Sequence, residues 1–299
     1  MDSTLLYASI HETEIPVFLA SPIAHAAQNT HKHLTIILVS PSFDLSWNSI
    51  QQLLTFVYVQ ATKVAQDRNR ILMQIDVLLH IPNTAIPESV SSPDVVFRVE
   101  GDSVQLPPEL SSFSQHTIPR GSHPIAPTPA EVATLSRFPV VALGGTFDHL
   151  HAGHKILLSM GAWLASEKLI VGVTDDALLV RKAHAEVLES LSARITSVRT
   201  FLNTFRPGLV YDIVPINDVY GPTGWDPNIQ ALVVSKETAS GAASIASHRA
   251  EHGLPALETF TIDVISATET NISNDNPDYM KQAKMSSTYI REWIVNHKQ

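Results

Sequence analysis

Residues 138–165 read FPVVALGGTFDHLHAGHKILLSMGAWLA. An apolar run of strand character ends on Gly144 and Gly145, and His149, His151 and His154 then fall within six residues. An apolar helical pattern follows at once. The change of period predicts a buried strand that hands over directly to a helix. In parallel sheets built this way, ligands bind beyond the carboxyl ends of the strands. The three histidines are therefore expected at a ligand site.

Working outward, the segments FPVVALG, KLIVGVT, LVYDIVPI, IQALVVS and LETFTIDVI alternate with helical patterns over 151–166, 191–205, 241–252 and 287–297. Such alternation predicts an α/β fold, here a Rossmann-like doubly wound parallel sheet covered by helices. A smaller α/β domain precedes it, with strands expected at LTIILVS (34–40), ILMQIDVLLHI (71–81) and VVFRV (95–99) and a helix over 46–66. The first hundred residues contain no glycine. Phosphate loops need glycine for close backbone approach to the anion, so this domain is expected to be non-catalytic. Between the two lie residues 103–130, with six prolines, many serines and no apolar period, which read as an extended linker. The division is thus 1–102, 103–130 and a catalytic domain over 131–299.

Composition bounds the function. At 299 residues, 44% hydrophobic and 16% charged, the chain has the make-up of globular domains. A formal net charge of −9 argues against non-specific binding to nucleic acid or to anionic membrane. There is no cysteine, hence no disulfide, thiolate metal site or cysteine nucleophile. No lysine or arginine precedes Lys32 and no apolar run reaches membrane-spanning length, so a cytoplasmic protein is expected.

Three readings compete for the histidines: plain loop residues, a metal site, and a phosphate site. A zinc site wants a fourth ligand, and although Asp148 is near, no HExxH motif or distant cluster completes one, so no metal ligand is assigned. For phosphate, Gly144, Gly145 and Thr146 supply a tight turn and a hydroxyl, and Gly153 allows close approach to the backbone. His151 and His154, three apart, share one face of the first helical turn. The N-terminus of that helix favours an anion. Near the other end of the domain, KMSSTYIREWIVNHK (284–298) places Lys284, two serines and a threonine before an amphipathic helix. Alone this is a serine cap; with the first motif it is a second phosphate-binding element.

GGTFDHLHAGH resembles the HxGH motif of the nucleotidyltransferase superfamily, and KMSST resembles its second signature. The whole span from about 138 resembles phosphopantetheine adenylyltransferases of the eukaryotic type, through VTDDALLVRKAHAEVLESLSARI, DIVPINDVYGPT, VVSKETASGA and HRAEHGLPALE. The resemblance implies transfer of AMP from ATP to 4′-phosphopantetheine, giving dephospho-coenzyme A and pyrophosphate, with Mg²⁺ accompanying ATP. It implies catalytic roles for Thr146, His154 and Lys182, with Lys182 bridging the attacking phosphate and the α-phosphate. ATP would be held by Gly144, Gly145, Thr146, His151, Gly153, His154, Lys236, Ser286, Ser287, Thr288 and Arg291, and the acceptor by Thr146, Asp148 and Lys182. His149 is left as a loop residue.

The alternatives are an adenylyl- or cytidylyltransferase for another small phosphate, such as nicotinamide mononucleotide, and a non-catalytic scaffold with a degenerate site. No Walker loop occurs in the chain, so a single activity is expected, with the product passed to a separate kinase. Partners among other coenzyme A pathway enzymes would dock on the N-terminal domain.

Overall fold

The computed structural model describes residues 1–10, 15–90, 92–121, 137–262 and 286–297. The chain divides into two compact units, Met1–Leu135 and Ser136–Gln299.

In the first unit, β1 (Ser3–Ser9), β2 (His33–Val39), β3 (Gln74–His80), β4 (Val95–Val99) and β5 (Gln115–Ile118) form one parallel sheet in the order β3-β2-β1-β4-β5. Helices α1 (Ala20–Asn29), α2 (Trp47–Asp67) and the single turn α3 (Pro108–Ser111) complete it. The central strand, β1, comes from the N-terminal segment; Leu5, Leu6 and Ala8 have no exposed surface. Parallel strands buried on both faces read as continuous apolar runs, and TLLYA is one.

Two features correct the expected linker. Residues 108–111 are helical, and 115–118 add β5 to the sheet beside β4, with Val96 opposite Gln115 and Val99 opposite Ile118. The prolines misled because they sit where proline is tolerated. Pro107 and Pro108 start α3, and Pro119 lies just beyond β5, an edge strand whose one buried residue is Ile118. The rest of the expected linker, 122–130, and the first residues of the expected catalytic domain, 131–136, lie outside the described residues.

The second unit repeats the plan. Its strands are β6 (Phe138–Gly145), β7 (Ala165–Thr174), β8 (Val210–Ile216), β9 (Ala231–Ser235) and β10 (Glu258–Ile262), all parallel, in the order β10-β9-β6-β7-β8. Counted from one to five along the chain, both sheets run 3-2-1-4-5. The helices are α4 (Ala152–Leu164), α5 (Leu191–Phe205), α6 (Ala239–Glu251) and α7 (Ser287–His297). The doubly wound parallel sheet expected from the alternation is present. The strand order reverses direction between β6 and β9, which places the crevice at their carboxyl ends.

Helix α4 is buried along its length from Lys155 to Leu164. It can lie that close to β6 because Gly161 faces the sheet: a Cβ there would come 2.4 Å from Leu143 Cδ2. The first turn of α4 is thereby fixed at the end of β6. Among the described residues, no helix is long and apolar enough to cross a membrane.

Candidate active site

Strand β6 ends on Gly144 and Gly145, and the chain turns through Phe147 and His149 with φ of 53° and 45°. Left-handed backbone at two non-glycine residues persists only where the surroundings impose it. Phe147 is fully buried, its ring 5.3 Å from that of His154. Gly145 accommodates that ring, since a Cβ on Gly145 would come 3.1 Å from Phe147 Cζ. His149 is fixed on both sides: its backbone N–H donates to Glu189 Oε2 at 2.6 Å and its Nε2 lies 2.8 Å from the Val187 carbonyl. His149 is thus a loop residue with structural partners.

The N-cap of α4 is His151, whose side chain makes no capping hydrogen bond. The first N–H groups of a 13-residue helix therefore have no side-chain acceptor from the cap. The rings of His151 and His154 stack at 4.0 Å and 26°, and in each the Nδ1 atom is buried without a hydrogen-bond partner. An unpartnered buried N–H costs more than an unpartnered lone pair, so the tautomer with hydrogen on Nε2 is favoured and Nε2 is left to donate. Burial lowers the pKa of His151 to about 4, and Lys155 adds to the shift. Burial, then the neighbouring His151, pushes His154 well below the ordinary imidazole value. Both rings are neutral at pH 7.

Helix α7 brings in the second signature. Ser287 Oγ donates to the Asp148 carbonyl at 2.8 Å, joining residues 139 apart in the sequence. Ser286 caps α7, its Oγ accepting from Tyr289 N–H at 3.3 Å. Thr288 Oγ1 accepts from Arg291 at 3.2 Å. A hydroxyl has one hydrogen to donate. Ser287 has spent its own, whereas Ser286 and Thr288 act as acceptors in the bonds just given. Lys284 lies outside the described residues.

Two residues expected at the ligand have protein partners. Asp148, expected beside the acceptor, is fully buried, with Oδ2 receiving Arg291 Nη1 at 2.5 Å and Oδ1 receiving Glu189 N–H at 2.9 Å. Arg291, expected at the triphosphate, is 2% exposed and also donates from Nε to the Ala183 carbonyl at 2.8 Å. Each neutralises the other, because a buried charge needs a partner. The carboxylate–guanidinium pair joins α7 to the turn after β6.

Lys182 is exposed in the segment between β7 and α5, and Lys236 is exposed at the first position after β9, beside the β6/β9 crevice. The carboxylate of the adjacent Glu237 acts electrostatically on His151, which places the start of this segment near the stacked rings. Asp148, His149 and Glu189 bring ligand atoms within 4.8 Å of one another. Each has the protein partner already named, so the group serves the loop's own architecture.

Residues 142–293, half of the chain, match the family model described as cytidylyltransferase-like. The chain belongs to the cytidylyltransferase-like family. Several of its relatives are named phosphopantetheine adenylyltransferase. The chain is 42% identical over 159 residues to the Saccharomyces cerevisiae protein named phosphopantetheine adenylyltransferase, covering 53% of this chain and 50% of that one. It is 42% identical over 157 residues to an uncharacterized Schizosaccharomyces pombe protein, covering 52% and 48%. It is 36% identical over 155 residues to the phosphopantetheine adenylyltransferase of Pyrobaculum aerophilum, covering 52% of this chain and 91% of that one. The chain spans about half the length of the two fungal relatives it matches.

In this cytidylyltransferase-like unit, sequence reasoning missed Arg194 and Glu189. Arg194 is fully buried on α5, with Nη1 donating to the carbonyls of Thr146 at 2.7 Å and Thr174 at 2.8 Å. Its signal was available: Arg194, Val198, Phe201 and Phe205 follow helical spacing, and the other three form the apolar stripe. An arginine on that stripe must find partners inside.

Proposed function

We propose that this chain transfers AMP from ATP to 4′-phosphopantetheine. One observation carries the reading. Two neutral, stacked histidines with buried Nδ1 atoms stand at an N-terminus whose cap side chain leaves the helix N–H groups open. That combination suits a phosphate whose negative charge grows at the leaving oxygen. Relatives named phosphopantetheine adenylyltransferase support the choice of substrates.

An oxygen of the acceptor phosphate attacks the α-phosphorus of ATP, the bond from the α-phosphorus to the bridging oxygen breaks, and pyrophosphate leaves. The attacking oxygen is already anionic, so no general base is required. Positioning and charge neutralisation supply the acceleration. His151 and His154 donate from Nε2 to the α-phosphate oxygens, and Thr146 donates its hydroxyl beside them. Lys182 spans the attacking and α-phosphates. Lys236, the N–H groups at the start of α7, and the hydroxyls of Ser286 and Thr288 hold the β- and γ-phosphates. Mg²⁺ bound with ATP would supply positive charge to the triphosphate; no resident ligand set is assigned to it. The setting is the cytosol.

The test is pyrophosphate release with ATP and, in parallel, 4′-phosphopantetheine, nicotinamide mononucleotide or phosphocholine. Turnover of phosphopantetheine alone is expected. Turnover of another acceptor without it overturns the choice of substrate, and no turnover of any acceptor leaves a scaffold.

A further inference from the structure

We propose that Arg194 is a positioning residue that holds the Lys182-bearing segment closed against Thr146. The inference rests on the role given above to Lys182. The segment runs from Asp175 to Ser190, between β7 and α5. Arg194 grips both of its ends and the site at once. At the start, Nη1 donates to the Thr174 carbonyl at 2.8 Å and Nη2 to Asp176 Oδ1 at 2.5 Å. At the finish, Nε donates to the Glu189 carbonyl at 3.0 Å. Nη1 also reaches the Thr146 carbonyl at 2.7 Å, the residue that follows the two glycines of β6.

The guanidinium is the one group that joins these four oxygens, and it is fully buried while Asp176 is half-exposed. Five N–H donors in a rigid plane can serve diverging acceptors; a lysine ammonium, a point charge on a flexible stem, cannot reproduce that spread. The middle of the segment has holds of its own: Leu179 is buried in the core, the Ala183 carbonyl accepts from Arg291 Nε at 2.8 Å, and the Val187 carbonyl lies 2.8 Å from His149 Nε2. Leu178 and Val180 are exposed and Lys182 follows them, its backbone N–H turned back onto the Leu179 carbonyl at 2.9 Å. Arg194 adds what these contacts do not, a direct tie from both ends of the segment to the backbone of Thr146. Loss of that tie lets the segment, and Lys182 with it, move away from Thr146.

The experiment is a double-mutant cycle on the full chain, reading pyrophosphate release, with tryptic cleavage after Lys182 as a readout independent of activity. R194K should lower kcat on the order of 100-fold, the usual penalty for a displaced catalytic group, with little change in KM for ATP. In a K182A background R194K should add nothing further, because the group it positions is gone. R194K should also raise the rate of cleavage after Lys182 several-fold at temperatures where circular dichroism shows the protein fully folded. D176N, which removes the only carboxylate on the guanidinium among the described residues, should do the same to a lesser degree and serves if R194K does not fold. Multiplying losses in the cycle, or an unchanged cleavage rate in both variants, overturns the proposal. If the wild type releases no pyrophosphate with any acceptor, the function fails, and cleavage alone decides whether Arg194 closes the segment.

Discussion

Two half-buried imidazoles stacked at 4.0 Å, with their Nδ1 atoms enclosed, resist protonation, and the consequence has a definite sign. In the folded protein burial lowers the pKa of His151 to about 4 and pushes that of His154 well below the ordinary imidazole value of 6.5. The unfolded chain therefore binds protons first as pH falls. The stability these residues carry is complete above about pH 6.5 and declines from there down through pH 4, by about 1.4 kcal/mol per pH unit for each proton. Urea unfolding measured between pH 7 and 4 should show this slope, and His151→Asn should flatten it. A profile equally steep in the variant would show that other groups are responsible. A bound triphosphate reverses the balance by favouring the charged rings. Calorimetry near pH 6 in buffers of different ionisation enthalpy should then show net proton uptake on ATP binding.

The neighbouring histidines should separate cleanly on substitution. His154→Ala is expected to lower kcat by roughly 10²–10³-fold while leaving stability near that of the wild type. His149→Ala should do the opposite. It loses the hydrogen bond to the Val187 carbonyl, worth about 1 kcal/mol, with kcat reduced far less. Equal effects on kcat in the two variants would refute the assignment.

At the level of the element, α7 is held by a buried ion pair and a serine hydroxyl. Removing one partner strands the other charge in the interior. Arg291→Ala should therefore cost about 3–5 kcal/mol, and Asp148→Asn should be destabilising in the same sense. Replacing both with apolar residues should recover much of the loss in denaturant melts. Neither side chain was legible as a structural partner from the sequence. Asp148 sits inside GGTFDHLHAGH and reads as a site residue, and only the fold shows that Arg291, 143 positions on, reaches it. Period and punctuation carried the rest of this unit well. The helix expected over 191–205 coincides with α5, and the strand expected over 138–144 ends one residue short of β6. The first unit was less legible. The central β1 lies at the N-terminus, where the chain is scanned for a leader, and β5 buries a single residue of its four. Short edge strands leave no pattern to read.

At the level of the whole molecule, the two sheets share a strand order but not a chemistry. In the second unit the first strand ends in Gly144 and Gly145. In the first it ends at Ser9, whose N–H and hydroxyl donate to the Asp102 carboxylate at 2.6 and 2.8 Å. A carboxylate already occupies the amide at the end of that strand, and its charge would repel a phosphate. We propose on this ground that the first unit does not bind a nucleotide phosphate at that strand end. A fragment spanning 131–299 should fold and retain most of the activity, since every residue assigned to chemistry lies in the second unit. Comparison of kcat/KM and melting temperature with the full chain tests this. A folded fragment with less than about a hundredth of the activity, a deficit near 2.7 kcal/mol, would mean that the first unit helps to build the site.

The bond from Ser287 to the Asp148 carbonyl also sets a timetable. The β6–α4 turn can form with its neighbours soon after collapse, but α7 must come back across 139 residues of chain to meet it. Closing so long a loop is entropically modest and kinetically slow. During refolding, far-ultraviolet dichroism should return before the capacity to release pyrophosphate. On gentle warming the order should reverse, with turnover fading while the sheet is still intact, because the last piece to arrive is the first to leave.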